Sequence, residues 1–215
     1  MGFQFEREAL IASGLDDEKK IDEYHNRLVF LSRQCMPRRI GPSSSALSRA
    51  RYLFNGLWRD RQARYRPGGH FRLHNVIDAQ IRKGSTAVGN CLGLTLLYNC
   101  LLNIVEIPAK AVYLEHAFNT GPHLITLLEI DHSRIDIENI LAEGFDYTRH
   151  KDNPSRTLWG DRELVADIYH STGNEYFEKG VFSEALRSYE KALELYPDYD
   201  RAALNRVIVL DRMNR

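Results

Sequence analysis

The sequence predicts an α+β fold with a helical N-terminal part, a buried central helix packed on an antiparallel sheet, and a C-terminal α-helical repeat. Apolar residues recur at helical spacing as far as Ile107 and alternate at strand spacing after Pro108. The final part of the chain returns to a helical pattern with small residues at fixed intervals. We place a first domain at residues 1–155, with a lead-in over 1–80 and a core over 81–150, and a helical unit at 161–215.

Short helices are predicted in the lead-in. Apolar positions at helical spacing run through residues 3–13 and 18–35, and the Gly41–Ser45 segment interrupts them. Ser43 to Ser45 offer an N-cap for the next helix. The apolar stripe of that helix consists of Leu47, Ala50, Leu53, Phe54 and Leu57.

Arginines alternate with aromatic residues from Arg49 to Arg72, a mixture also found where proteins stack single-stranded nucleic acid. An amphipathic helix with its aromatic side chains inward and its arginines outward has the same composition, and we predict that structural role. The 29 Lys and Arg residues balance 29 Asp and Glu residues, so no net charge attracts nucleic acid or an anionic membrane. We expect neither partner.

The composition also bears on the compartment. No apolar run approaches the ~20 residues that a membrane-spanning helix needs, and the first residues are too acidic for a secretion signal. The three cysteines are an odd number without framework spacing, which is typical of free thiols in a reducing compartment. We therefore expect a cytoplasmic protein.

The core begins with the most apolar stretch of the chain, Leu92–Val105, which predicts a helix buried on all sides. Asn90 is a good N-cap just before it, and Pro108 follows its end. Strands of an antiparallel meander are predicted at Ala109–Leu114, His123–Ile130 and Arg134–Ile137. The polar segment Asp152–Ser155 then predicts a linker.

A repeat pattern marks the C-terminal unit. Its aromatic and small residues at fixed spacing are Tyr169, Thr172, Gly173, Tyr176, Gly180, Ala185, Tyr189, Ala192 and Pro197. The pattern resembles a tetratricopeptide repeat over 166–199, with helices at 166–179 and 183–196 that cross closely at Gly173 and Ala185. One repeat cannot bury its own faces. The apolar residues of a further helix from Arg201 therefore predict contact with the first domain, with a protein or peptide partner, or with a second copy.

Cys91 is the candidate nucleophile. It lies in the first turn of the central helix, where free backbone N–H groups and the helix dipole favour a thiolate. Cys100 is about half a turn out of phase and is expected in the core. His123 opens a strand downstream, and Asp136 and Glu138 lie on the next one. In such a set, a histidine takes the thiol proton and an acid holds the imidazole.

Parts of the chain resemble the transglutaminase-like superfamily, which is related to the papain-type thiol enzymes. The segments that carry the resemblance are Val88–Tyr98, Glu106–Val112 and Pro122–Asn139, within a region of roughly 47–147. The resemblance implies Cys91 as nucleophile, His123 as base, and Asp136 or Glu138 as the orienting acid. Residue type favours Asp136, which we place first, whereas strand register favours Glu138. Ile137 follows Asp136 where the family usually has proline.

The remaining candidates have weaker support. The backbone N–H of Cys91 is one expected oxyanion donor, and Gln80 is the candidate for the second. His116 precedes no alternating strand of sufficient length, so His123 is preferred to it. A metal site from His116, His123 and His132 lacks a tight spacing, and we expect no metal or organic cofactor. Surface or turn positions are expected for His25, His70, His74, His132, His150 and His170.

Two functions fit these observations. The first is a cysteine-dependent acyl-transfer enzyme that forms an acyl-enzyme on Cys91 from an amide or ester, and water or an amine resolves it. The second is a non-catalytic scaffold or adaptor that keeps the same fold and binds partners through its tetratricopeptide repeat. The substrate is not determined by the sequence.

Overall fold

The computed structural model of the protein describes residues 2–37, 44–118 and 121–214, and within them it has eight helices and a four-stranded sheet. The helices are α1 Phe5–Ala12, α2 Glu18–Cys35, α3 Ala46–Trp58, α4 Leu73–Ile81, α5 Cys91–Ile104, α6 Asp161–Glu178, α7 Phe182–Leu195 and α8 Asp200–Met213. The strands are β1 Ala109–Ala117, β2 Gly121–Ile130, β3 Ser133–Ile137 and β4 Arg156–Trp159. The predicted mixture of helices and sheet with a helical C-terminal region is confirmed.

Side-chain caps define the start of two lead-in helices. Asp17 accepts a hydrogen bond from the backbone N–H of Lys19 at 2.8 Å, and Ser45 accepts one from Ser48 at 3.2 Å. Of the three serines predicted to offer a cap, Ser45 is thus the one that caps α3. Residues 41–43 of the predicted break lie outside the described residues. Helix α4 follows a loop and packs against α5.

One arginine of the 49–72 segment is buried, contrary to the prediction that these arginines point outward. Arg64 has no exposed surface, and its guanidinium lies 5.3 Å from the centre of the Trp58 ring. Its Nε donates to Oε1 of Gln80 at 3.0 Å. Burial lowers the pKa of Arg64 to about 9.

Helix α5 is the centre of the core, as its uniformly apolar sequence predicts. Asn90 caps it by accepting from the backbone N–H of Gly93 at 3.0 Å. A Cβ atom at Gly93 would overlap the carbonyl oxygen of His70, so glycine here lets the loop before α4 lie directly on the helix. The backbone N–H of Asn90 donates to that same carbonyl at 3.0 Å.

The sheet is antiparallel with strand order β3-β2-β1-β4. Leu124 and Leu128 of β2 belong to the main core with α5, while Ile125 and Leu127 form a smaller cluster with β1. Strand β4 was not predicted. It directly follows the predicted linker and pairs with β1, Ala111 opposite Trp159, so the chain is fixed to the sheet before it enters α6.

The C-terminal helices attach to the core on one side only. Helix α6 contributes side chains without exposed surface to the main core, namely Leu164, Val165, Ala166 and Ile168. At the crossing of α6 and α7, a Cβ atom at Gly173 would overlap the Tyr189 ring. Helix α8 instead leaves Leu204 and Val207 exposed, at 62% and 61% of their surface. Contact with the first domain is therefore made mainly by α6, with Ala192 of α7 and Ala202 of α8 also in the main core, and an apolar face of α8 is uncovered.

Candidate functional site

Cys91 is the first residue of α5 and is partly exposed. Its backbone N–H belongs to the first helical turn, where N–H groups lack intrahelical acceptors. The 64–70 loop fixes the approach to this turn, because Val88 donates to the Arg64 carbonyl at 2.8 Å and Arg66 donates to the Gly89 carbonyl at 3.1 Å. The thiol therefore stands at the positive end of a rigidly held helix.

His123 lies between Cys91 and Glu138. Its Nε2 is 3.0 Å and 2.9 Å from the two carboxylate oxygens of Glu138, and its side chain also hydrogen-bonds Cys91. Because Nε2 is occupied by Glu138, Nδ1 is the ring nitrogen available to the thiol. Burial lowers the pKa of His123, but the hydrogen bonds to Cys91 and Glu138 outweigh burial and raise it to about 9.

The carboxylate of Glu138 is held by the turn that follows β3. The backbone N–H of Glu138 donates to the Gly144 carbonyl at 2.8 Å, and the N–H of Ile140 donates to its Oε1 at 3.3 Å. Glu138 has no exposed surface. Burial raises its pKa, but the hydrogen bonds with His123 and the nearby His150 imidazole outweigh burial and lower it, so the site holds a buried carboxylate anion.

Asn139 anchors this turn to the core. Its Nδ2 donates to Oγ1 of Thr126 at 2.9 Å and to Oγ1 of Thr95 at 3.2 Å. Thr126 in turn donates to Oδ1 of Asn99 at 2.6 Å. All four residues are buried, so this polar network joins α5, β2 and the turn and fixes where Glu138 lies relative to Cys91.

Asp136 is not in contact with His123, although residue type placed it first. Both of its carboxylate oxygens accept from Arg156, at 2.7 Å and 3.0 Å, and Asp136 is only 2% exposed. Arg156 also donates to the backbone carbonyl of His150 at 2.9 Å. The structure thus brings Glu138 to the histidine, as the register favoured, and assigns Asp136 to a buried ion pair that ties down a neighbouring loop.

His150 is a member of this cluster that the sequence interpretation missed. It was expected on the surface or in a turn, but it is 5% exposed, and its Nε2 lies 3.3 Å from Oε2 of Glu138. The rings of Phe118 and Tyr147 pack against it, at centroid distances of 4.8 Å and 5.1 Å. His123, Glu138 and His150 place one possible ligand atom each within 4.8 Å of the others, so they could hold a metal ion.

Gln80, the candidate second oxyanion donor, serves a different role. Its Nε2 donates to the Leu57 carbonyl at 3.0 Å, and its Oε1 accepts from Arg64, so both polar atoms are used in the buried lead-in. It does not line the cavity at Cys91. The backbone N–H groups of Cys91 and Leu92 in the first turn of α5 are the donors closest in sequence to the thiol.

The other histidines lie on the surface, in α4 or in the helical unit. His25, His70, His116 and His132 are exposed. His74 is half-buried in α4 with its ring centre 5.8 Å from that of Tyr24, contrary to the expected surface or turn position. His170 is 1% exposed, contrary to the expected surface position. It lies in α6 between this helix and α8, with its ring nitrogen beside the Tyr199 hydroxyl.

A cavity of about 560 Å³ opens at Cys91 and His123. Its opposite wall is formed by the helical unit, with Asp167, His170, Ser171 and Asn174 from α6 and Arg201 from α8. Arg201 donates to the hydroxyl of Tyr113 at 3.3 Å, which links α8 to β1. The C-terminal helices therefore form part of the cleft that holds the thiol.

Comparison with known proteins supports the helical unit. A family model described as a TPR repeat matches residues 173–212, which span the last third of α6, all of α7 and most of α8. Neither the curated proteins nor the solved structures gave a match. In residues 2–37, 44–118 and 121–214, no helix is long and apolar enough to cross a membrane. A tetratricopeptide repeat in the C-terminal unit is confirmed, with the match at 173–212 instead of the predicted 166–199, and repeats of this kind generally mediate contacts between proteins.

Proposed function

We propose that the protein is a cysteine-dependent acyl-transfer enzyme of the transglutaminase-like type, with Cys91, His123 and Glu138 as its triad. The observation that carries the proposal is the position of His123, which hydrogen-bonds Cys91 on one side and the Glu138 carboxylate on the other. This is the relation in which an acid orients an imidazole toward a nucleophile.

In the proposed reaction, His123 holds the proton of the Cys91 thiol, and the thiolate attacks the carbonyl carbon of an amide or ester. The oxyanion forms at the first turn of α5, where backbone N–H groups point at it. His123 then gives the proton to the leaving amine or alcohol, and a thioester remains on Cys91. Water or an amine, deprotonated by His123, attacks the thioester and releases the acyl product.

The buried environment of the triad supports this role. His123 and Glu138 are 5% and 0% exposed, whereas Cys91 is partly exposed and lines the cavity. The histidine and the acid are thus shielded from water while the nucleophile is accessible to a substrate. The cavity of about 560 Å³ has room for a short segment of a peptide or a compact small molecule.

The rate of alkylation of Cys91 by iodoacetamide at near-neutral pH tests the proposal. Cys35 and Cys100 are buried free thiols in the same chain and serve as internal controls when the modified peptides are separated by mass spectrometry. We expect Cys91 to react much faster than either. Glu138→Gln should slow its alkylation by about tenfold or more, because the imidazolium loses its orienting anion.

Asp136→Asn is the matched control. It makes the same chemical change in a buried carboxylate two residues away that contacts Arg156 instead of His123. We expect it to leave the alkylation rate of Cys91 within about twofold of wild type while the fold is retained by circular dichroism. Equal effects of the two substitutions, or a Cys91 that reacts as slowly as Cys100, would refute the triad.

An adaptor role is the second candidate, and the match of residues 173–212 to a TPR repeat favours it. The uncovered apolar residues of α8 are available to a protein partner. In this case Cys91→Ala would leave partner binding unchanged, and p-nitrophenyl acetate, a general probe of acyl transfer, would not be turned over by the wild type.

A further inference from the structure

Three side chains from separate parts of the chain converge at one buried point beside the thiol. His123 comes from β2, Glu138 from the turn after β3, and His150 from the loop before β4. Each offers one ligand atom, and the three atoms lie within 4.8 Å of one another. We propose that these residues form a zinc site, and that zinc bound there inhibits the acyl-transfer reaction.

The distances fit a small transition-metal ion. The His123 Nε2 and the His150 Nε2 lie 2.9 Å and 3.3 Å from the same carboxylate oxygen of Glu138. Ligand atoms at about 2.0–2.1 Å from a tetrahedral Zn²⁺ stand about 3.4 Å apart. The three atoms lie within 4.8 Å of one another, so the widest pair must close by at most about 1.4 Å for all three to face one ion.

His150 supplies an independent indication of a ligand. It is 5% exposed, and its Nε2 points toward Glu138 but makes no hydrogen bond of acceptable geometry in the described structure. A buried ring nitrogen without a hydrogen bond is costly, and a metal ion at this point would satisfy it. The two imidazoles and one carboxylate favour Zn²⁺ over Mg²⁺ or Ca²⁺, which prefer oxygen ligands.

The surroundings hold the ligands in place. The backbone N–H of Ile140 donates to Glu138, and Arg156 joins the backbone carbonyl of His150 to Asp136. Phe118 lies against both imidazole rings, at centroid distances of 5.3 Å and 4.8 Å. Such hydrogen bonds orient ligands, and the burial of the three ligand side chains strengthens their interaction with a cation.

Zinc would inhibit the reaction because it shares His123 and Glu138 with the proposed triad. This inference therefore rests on the proposed function. Zinc would occupy Nε2 of His123 and the Glu138 carboxylate, so His123 would no longer be oriented by a free anion or able to relay a proton. Cys91 is not among the residues whose ligand atoms lie together. Binding of zinc should therefore depend on His150 and be independent of the thiol.

The first arm of the test measures zinc affinity of the full chain by competition with a colorimetric zinc chelator. We expect one tightly bound Zn²⁺ per chain, an affinity reduced by at least about tenfold in His150→Ala, and unchanged affinity in Cys91→Ala. His116→Ala removes an exposed histidine and controls for adventitious binding, so it should leave the affinity unchanged. Loss of zinc in Cys91→Ala, or full affinity in a folded His150→Ala, would overturn the proposal.

The second arm measures turnover of p-nitrophenyl acetate. Zinc should suppress the wild-type rate and a chelator should restore it, while the turnover that remains in His150→Ala should no longer respond to zinc. The two proposals fail in different ways. Zinc binding through His150 in a chain without a reactive Cys91 would refute the proposed enzyme. A reactive Cys91 whose turnover does not respond to zinc would refute the proposed inhibitory site.

Discussion

The two walls of the cleft at Cys91 are built in different ways. On the wall formed by α5 and the sheet, buried polar side chains bond to one another, as Asn139 does to Thr126 and Thr95. On the wall formed by α6 to α8, one face is buried in the core and the other, on α8, is left exposed. A buried network of side-chain hydrogen bonds fixes atomic positions, as the proposed reaction requires, whereas a half-covered helical unit retains surface for recognition.

We nevertheless expect the two walls to fold together. Truncation of the chain tests this expectation and should have the largest effect of the changes proposed below. A chain ending at Asn153 loses β4 and α6, including four side chains of α6 that have no exposed surface. At about 2 kcal/mol for each of Leu164, Val165 and Ile168, the loss is about 6 kcal/mol, which lies within the range of a whole domain's stability. We expect no cooperative thermal unfolding by circular dichroism.

A chain ending at Tyr199 is the control for this truncation. It removes α8, and with it Ala202 of the main core, but keeps α6 and α7, so most of the main core stays covered. We expect a folded protein with a lowered melting temperature. A soluble chain ending at Asn153 that melts cooperatively would show instead that the first wall folds alone and that the boundary at residues 155–161 separates two domains.

The second prediction concerns the precision of the first wall. A Cβ atom at Gly144 would overlap the backbone carbonyl of Glu138, so Gly144→Ala must displace the turn that holds this carboxylate. We expect a loss of stability of about 2–3 kcal/mol in urea unfolding and slower alkylation of Cys91. Gly68→Ala, where no atom lies within 4 Å of the new Cβ, should change neither measurement.

The third prediction separates two cysteines of one helix. Cys100 has no exposed surface, so Cys100→Ala should cost about 1–2 kcal/mol through the cavity it leaves. Cys91 is partly exposed, and Cys91→Ala should cost less than about 0.5 kcal/mol while removing any turnover of p-nitrophenyl acetate. Equal losses of stability with unchanged turnover would make Cys91 a structural residue.

The sequence predicted the helical wall more fully than the site. The spacing from Tyr169 to Pro197 depends on contacts between residues close in the chain, so one sequence carries the pattern. The start of α5 was also predicted, because Asn90 caps it locally. Strand β4 was missed because it has only four residues, of which two neighbouring side chains are exposed. It therefore lacks the alternation of apolar and polar residues that predicts a strand.

The acid and the second histidine could not be placed because their contacts are distant in sequence. Asp136 is drawn away by Arg156, which lies twenty residues further along, on the unpredicted strand β4. His150 reaches Glu138 through a loop whose path depends on that same arginine. Strand register alone favoured Glu138, but choosing it required knowing the partner of Asp136.

The fourth prediction concerns the junction of the two walls. Asp161 begins α6, and burial together with the charges of Glu6 and Glu163 raises its pKa to about 6. A carboxyl group whose pKa is higher in the folded state destabilises the fold as it ionises, so the penalty is absent well below the ordinary pKa of 3.8 and complete above about pH 6. Asp161→Asn should therefore gain about 1 kcal/mol at pH 7, after allowance for solvent screening, and almost nothing at about pH 3. Urea unfolding at the two pH values measures the difference, and an equal gain at both would contradict it.

The smallest effect is expected on the outer face of α8. Leu204 and Val207 are 62% and 61% exposed, so the double variant Leu204→Ser, Val207→Ser should change the free energy of unfolding by less than about 0.5 kcal/mol. Val209 lies on the same helix but has no exposed surface, and Val209→Ala should cost about 1–2 kcal/mol. The double variant could instead lose as much stability as Val209→Ala, but only at high protein concentration. This result would mean that a second copy covers the face, since stability then depends on association. Light scattering of the wild type and the double variant at the same concentrations separates this case from a face that is free to receive a different protein.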